Sequence, residues 1–173
     1  MTRMIKSAYD KEGDGDVVVK DQKSPRPKDA ATLILVRRDK DAPRVLMGKR
    51  SSRHDFMPDK YVFPGGRVDP TDARAPVLSP LNPRTAGDLA KQSRRAPHAF
   101  ALTAIRETWE ETGLLVARPG NPKGKPPADW QGFYDQGIAP CLKGLSFIGR
   151  AITPPYRPKR FDARFFMADA EDV

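Results

Sequence analysis

"RETWEETGL", residues 106–114, crowds four charged side chains into six positions and then stops at a glycine. The chain as a whole carries a net charge of +9, so acids gathered this tightly ask for a reason. The preceding residues "HAFALTAI" recur at helical spacing, Pro97 suits a first helical turn, and Gly113 sits where a left-handed C-terminal cap belongs. This pattern predicts a helix over residues 98–112. At 100° per residue, Glu107, Glu110 and Glu111 fall within about 100° of one another, opposite Ala101, Leu102, Ile105, Thr108, Trp109 and Thr112. One face packs and the other presents three carboxylates. Their mutual repulsion costs roughly 0.2–0.5 kcal/mol per pair. A hard divalent cation, which prefers carboxylate oxygen, would offset that cost, and Arg106 lies one turn before Glu110, where an ion pair can orient it. Exposed helix faces also carry acid and base runs for no chemical purpose, and these nine residues alone leave both readings open.

On the N-terminal side of this helix, "AATLILVRR" (30–38) and "RVLMGKR" (44–50) read as two strands joined by the polar "DKDAP". "YVFPGGRVD" (61–69) reads as a third strand that ends on Pro64-Gly65-Gly66. Residues 70–97, rich in Pro, Ala, Arg and Ser, read as an insertion running over the surface, with at most a short helix near "AGDLAKQS". Beyond the helix, "LLVAR", "LSFIGRAIT" and "RFDARFFMADA" are strand candidates, and "ADWQGFYDQ" is a short helix. The alternation predicts a mixed α/β (α+β) domain spanning residues 29–173. Residues 1–28, charged and poor in aromatics, read as a flexible tail with one short strand at "DVVVK" (16–20).

The composition narrows the function. With 173 residues and 38% hydrophobic content, the chain suits one domain with a single core. A single cysteine, Cys141, forms no internal disulfide, and His54 and His98 complete no zinc cluster, which points to a reducing, cytoplasmic setting. No run approaches the roughly 20 apolar residues of a membrane span. Thirty-one Lys and Arg against 22 Asp and Glu predict attraction to a polyanion. A nucleic-acid-binding module would explain the charge. Against it, the basic residues are scattered, no binding signature is present, and an acid-lined helix repels phosphates.

Arg106, Glu107, Glu110, Glu111, Gly113 and Leu114, following a strand that ends in Gly-Gly, resemble the second half of the Nudix box, Gly-x5-Glu-x7-Arg-Glu-Φ-x-Glu-Glu-x-Gly-Φ, where Φ is apolar. The first half departs from it. Counting back from Arg106 puts the box's first glutamate on His98, with 31 residues between it and Gly66 instead of five, and Thr108 stands at the apolar position. "RSSRHDFMPDKYVFPGGRVD", "AIRETWEETGLL" and "ITPPYRPKRFDARFF" are similar to a Nudix branch related to acyl-coenzyme A diphosphatases, which also carries an insertion before the helix and tends to lack that glutamate.

The resemblance implies a Nudix-type mixed β-sheet sandwiched between helices, with a strand and a helix following "RFF" that a chain ending at Val173 would lack. It also implies metal-dependent hydrolysis of a small-molecule nucleoside diphosphate derivative, such as CoA or acyl-CoA, with Mg²⁺ or Mn²⁺ as cofactor. A catalytically weak Nudix-like nucleotide-binding protein is the alternative. By motif transfer, Glu110, Glu111 and Arg106 are catalytic, and Glu107, Glu110, Glu111 and the Gly65 carbonyl hold metal. Arg50, Arg67, Arg160 and Arg164 are candidate substrate contacts, because guanidinium groups grip phosphate in a bidentate manner. His98 reads as structural rather than as the general base. Family members often form homodimers.

Overall fold

A computed structural model of the chain describes residues 24–38, 42–50, 59–91 and 93–172. The strand expected at "DVVVK", the tail before Ser24 and residues 39–41 of the "DKDAP" connection lie outside the described residues. In chain order the strands are β1 (Lys28–Arg38), β2 (Pro43–Val45), β3 (Gly48–Lys49), β4 (Tyr61–Val62), β5 (Gly65–Arg67), β6 (Ala117–Pro119), β7 (Ile138–Pro140), β8 (Ser146–Ile152) and β9 (Phe161–Asp169). The helices are α1 (Pro83–Ala90), α2 (Pro97–Thr112) and α3 (Gln131–Tyr134). The domain is mixed α/β, as its alternating patterns predict. Among the described residues, no helix is long and apolar enough to cross a membrane.

The main sheet runs β2-β1-β9-β8, with β5 also paired to β1. The pairing of β1 with β9 is parallel, from Lys28↔Phe161 to Val36↔Asp169, and brings the start and the end of the domain side by side. Alternation along β1 and β9 turns Ala31, Leu33, Phe166 and Ala168 toward α2. From α2, Phe100, Leu102 and Ile105 enter the same core fully buried, each contributing roughly 1.5–3 kcal/mol by leaving water. Pro97 opens α2, and Gly113, at φ 74°, closes it by donating its N–H to the Trp109 carbonyl at 2.8 Å.

Three expectations change. "RVLMGKR" divides, its first part pairing with β1 and its second with β4, so it serves two sheets. "YVFPGGRVD" does not end at its glycines. Gly65, Gly66 and Arg67 form β5, paired with Thr32, Ala31 and Ala30. Residues 70–97 are no loose excursion: Ala75, Leu81 and Leu89 enter the core, and α1 begins at Asn82, whose side chain accepts the Thr85 N–H at 2.8 Å. The Tyr134 hydroxyl donates to the Pro76 carbonyl, fastening the same segment to α3. The short helix at "AGDLAKQS" is therefore the end of a packed one.

A cluster of charges locks the parallel pair. Arg164, 1% exposed, reaches Asp29 on β1 at 3.1 Å and Asp162 at 3.0 Å, and its guanidinium lies 4.4 Å from the centre of the Phe100 ring. Asp162 also accepts two bonds of 2.7 Å from Arg150 on β8. Partial burial pushes the Asp162 carboxyl up, but Arg150 and Arg164 outweigh it and hold the group below the usual aspartate value of 3.8. A depressed carboxyl stabilises the fold above its unfolded pKa, and that contribution disappears as pH falls through the folded one. Asp162→Asn is expected to cost about 1.5–3 kcal/mol at pH 7 in chemical denaturation, with the difference from wild type shrinking below about pH 4.

Candidate active site

The acidic face of α2 meets the glycine edge of β5. Glu111 accepts the Gly65 N–H at 3.2 Å, and Glu107 reaches across Gly66. A Cβ on Gly66 would stand 2.5 Å from the Glu107 carboxylate, so this position excludes any side chain unless Glu107 moves. Helix period and glycine turn thus place two carboxylates at one strand edge.

Arg106 sits behind them, 7% exposed. Its Nη1 pairs with Glu107 at 2.9 Å and Glu110 at 2.8 Å, its Nη2 donates to the Arg67 carbonyl at 3.1 Å, and its Nε donates to Asp72 at 2.9 Å. Asp72 is 0% exposed and also accepts from Thr103 Oγ1 at 2.6 Å, the Asp69 N–H at 2.9 Å and Trp130 Nε1 at 3.2 Å. Burial works against the Arg106 charge, but Asp72, Glu107 and Glu110 outweigh it and raise the pKa of the guanidinium above its ordinary value. For Glu107, burial raises the carboxyl, Arg106 opposes the rise, and Glu110 and Glu111 add to it.

Asp72 is the residue that the sequence reading misses. Five residues separate Gly66 from Asp72, the spacing of Gly-x5-Glu in the Nudix box, so the extra residues follow the acid instead of preceding it. Counting forward from the glycine finds it, whereas counting back from Arg106 leads to His98. That ring is exposed, with Nε2 3.0 Å from the Ala73 carbonyl oxygen, and Asp72 holds the place assigned to it.

The Gly65–Gly66 edge and Glu111 open onto a cleft of about 520 Å³, a size suited to a small-molecule ligand. Among the described residues, six cations line it, Arg26, Lys28, Arg50, Arg67, Lys159 and Arg160, against the single carboxylate of Glu111. Three of the four candidate substrate contacts, Arg50, Arg67 and Arg160, thus line this one cleft. Arg160 also braces the backbone around it. Its Nε donates to the Thr153 carbonyl at 3.0 Å, and its Nη1 to Ser24 Oγ and the Pro25 carbonyl, both at 2.9 Å. Arg164 lies elsewhere, inside the sheet with Asp29 and Asp162, because its strand position faces α2 and not the cleft.

Hard oxygen donors at the glycine edge suit a divalent cation. Among the described residues, no three His, Cys, Asp or Glu groups form a closed cage. Arg106 draws Glu107 and Glu110 toward itself while Glu111 turns to Gly65. Asp72→Ala would leave Arg106 Nε and Trp130 Nε1 without their buried acceptor and is expected to lower stability by about 3–5 kcal/mol, as read by denaturant titration.

No family model matches the chain. It is 32% identical over 156 residues to a putative nudix hydrolase 7 of Caenorhabditis elegans, an alignment covering 84% of this chain and 45% of that protein. It is 37% identical over 98 residues to the acyl-coenzyme A diphosphatase NUDT19 of Gallus gallus, covering 44% of this chain and 26% of that protein. The chain thus spans less than half the length of these curated relatives. A crystal structure of a NUDIX hydrolase from Alicyclobacillus acidocaldarius superposes with a TM-score of 0.62 at 32% identity, over 84% of this chain and 70% of that one. Shared sequence and shared fold over that much of a solved hydrolase settle the family: the chain belongs to the Nudix hydrolases.

Proposed function

We propose that this chain is a divalent-cation-dependent hydrolase that cleaves the diphosphate linkage of a bulky nucleoside diphosphate derivative, with CoA or acyl-CoA as substrate. The observation that carries the reading is the meeting of Glu107 and Glu111 with the Gly65–Gly66 edge at the end of a cation-lined cleft. Matches to acyl-coenzyme A diphosphatases support the substrate class.

A bound Mg²⁺ or Mn²⁺ supplies charge neutralisation at the diphosphate and lowers the pKa of a coordinated water. Glu107, Glu110 and Glu111 would hold it, with Glu110 exchanging its Arg106 contact for the cation. Arg50 and Arg67, beside the glycines, bind phosphate oxygens and fix the diphosphate in the cleft. Arg106 orients the carboxylates from behind, and Asp72 keeps its guanidinium in place.

A hydrolysis screen over CoA, acyl-CoA, NADH, ADP-ribose and nucleoside triphosphates, with and without Mg²⁺ or Mn²⁺, tests the reading, and product masses identify the bond cleaved. Cation-dependent release of a nucleotide from CoA or its esters is expected. Efficient cleavage of triphosphates with no action on CoA esters would overturn the substrate, and turnover independent of added cation would overturn the metal site.

Glu111→Gln is expected to cut kcat about 100-fold or more while leaving the thermal midpoint within a few degrees, because the residue is exposed and outside the core. Wild-type turnover in this variant would reject its assignment as a cation ligand.

A further inference from the structure

The cleft holds more positive charge than a diphosphate requires. A diphosphate diester carries two negative charges, which Arg50 and Arg67 beside the glycine edge can match. Four cations remain, Arg26, Lys28, Lys159 and Arg160. None of the four belongs to β5. The strands β5 and β9 both pair with β1 over residues 30–32, so they occupy its two opposite edges, and the surplus charge sits at the start of β1 and in the β8–β9 turn.

Arg160 is largely spent on the protein itself. Its bonds to Ser24 and Pro25 pin the segment before β1 to the β8–β9 turn, where Ser24 Oγ donates to the Pro155 carbonyl at 2.7 Å and the Lys28 N–H donates to the Arg160 carbonyl at 2.9 Å. This rivet presents Arg26 and Lys28 to the cleft. Both side chains are exposed, and among the described residues neither side chain makes a hydrogen bond or an ion pair. Two like charges placed side by side repel unless an anion lies between them. Among the described residues, no hydrogen bond, ion pair or ring contact of the fold uses these two side chains.

We propose that Arg26 and Lys28, held in place by Arg160, form a subsite for a phosphomonoester that the substrate carries beyond its scissile diphosphate. The inference rests on the diphosphatase reading and adds a determinant of specificity to it. CoA carries such a group on its ribose, whereas 3′-dephospho-CoA does not. A nucleoside triphosphate carries a terminal phosphate of similar charge, joined by an anhydride instead of an ester, at the end of its phosphate chain. Arg160, a candidate substrate contact by its sequence, then acts as a positioning residue for the arm.

The test compares CoA with 3′-dephospho-CoA in the full chain. Wild type is expected to show a KM for CoA lower by about tenfold or more, the effect of one charge-assisted contact, and Arg26→Ala/Lys28→Ala is expected to bring the ratio close to one. Arg37→Ala/Arg44→Ala removes the same charge at the far end of β1, where these residues line a different cleft, and should leave the ratio as in wild type. A ratio that persists in Arg26→Ala/Lys28→Ala, or that falls equally in both double variants, would overturn the subsite.

Calorimetry separates this inference from the diphosphatase reading. Adenosine 3′,5′-bisphosphate should bind about tenfold or more tightly than adenosine 5′-monophosphate, with the difference lost in Arg26→Ala/Lys28→Ala. That result in a protein inert toward CoA would sink the substrate assignment and keep the subsite. ATP against ADP, titrated without added cation, tells whether a phosphate on the chain end can take the same place as one on the ribose. Equal affinity within both pairs, including no binding by any of the four, overturns the subsite.

Discussion

The buried pair of Asp72 and Arg106 is the joint on which the rest of the site hangs. Isolated charges this deep cost several kcal/mol each, and the pair survives because nearly every polar position on both groups is satisfied. Asp72 gathers donors from the Asp69 N–H, from Thr103 on α2 and from Trp130, and Arg106 answers with bonds to Asp72, the Arg67 carbonyl and two helix carboxylates. One contact therefore fixes the strand edge, the acidic helix α2 and the segment before α3 relative to one another. If it loosened, the distance between the glycine edge and the carboxylates would go with it.

The pair also explains how an insertion can sit inside the signature region without displacing it. The acid stays at its usual distance from the glycines, and the additional residues leave the chain only afterwards. They then return through a helix that buries Leu89, through the Tyr134 bond to Pro76, and through Arg95, which pairs with Asp29 at 2.7 Å. The excursion adds core and closes on the same β1–β9 seam that Arg164 stabilises. Its proline and arginine content reads as loop because the partners that bury it are scattered along the chain.

Charge is distributed with the same division. Acids cluster on one helix face and bases line the cleft onto which Glu111 opens, a field that would draw a phosphorylated ligand from a distance. Among the described residues, six of the chain's cations thus line one cleft, beside the helix that carries its most acidic stretch.

Local sequence alone determined the helix, its cap and its acidic face, because a 3.6-residue period and a left-handed glycine are properties of neighbours. It also fixed the long strands and the importance of the glycine pair. The tertiary structure decided that this acid serves Arg106, because Asp72 lies 34 residues away, no helical or strand period links them, and the spacing from Gly66 marks the acid without naming its partner. The same holds for the arginines. Arg160 and Arg164 look equivalent in "KRFDAR", but Arg160 ends the β8–β9 turn whereas Arg164 lies inside β9. The chain path alone determines that the turn meets the cleft and that this strand position meets α2 and Asp29. Solvation and partner, set by packing over more than a hundred residues of separation, turned one into a rivet at the cleft and the other into a buried strut.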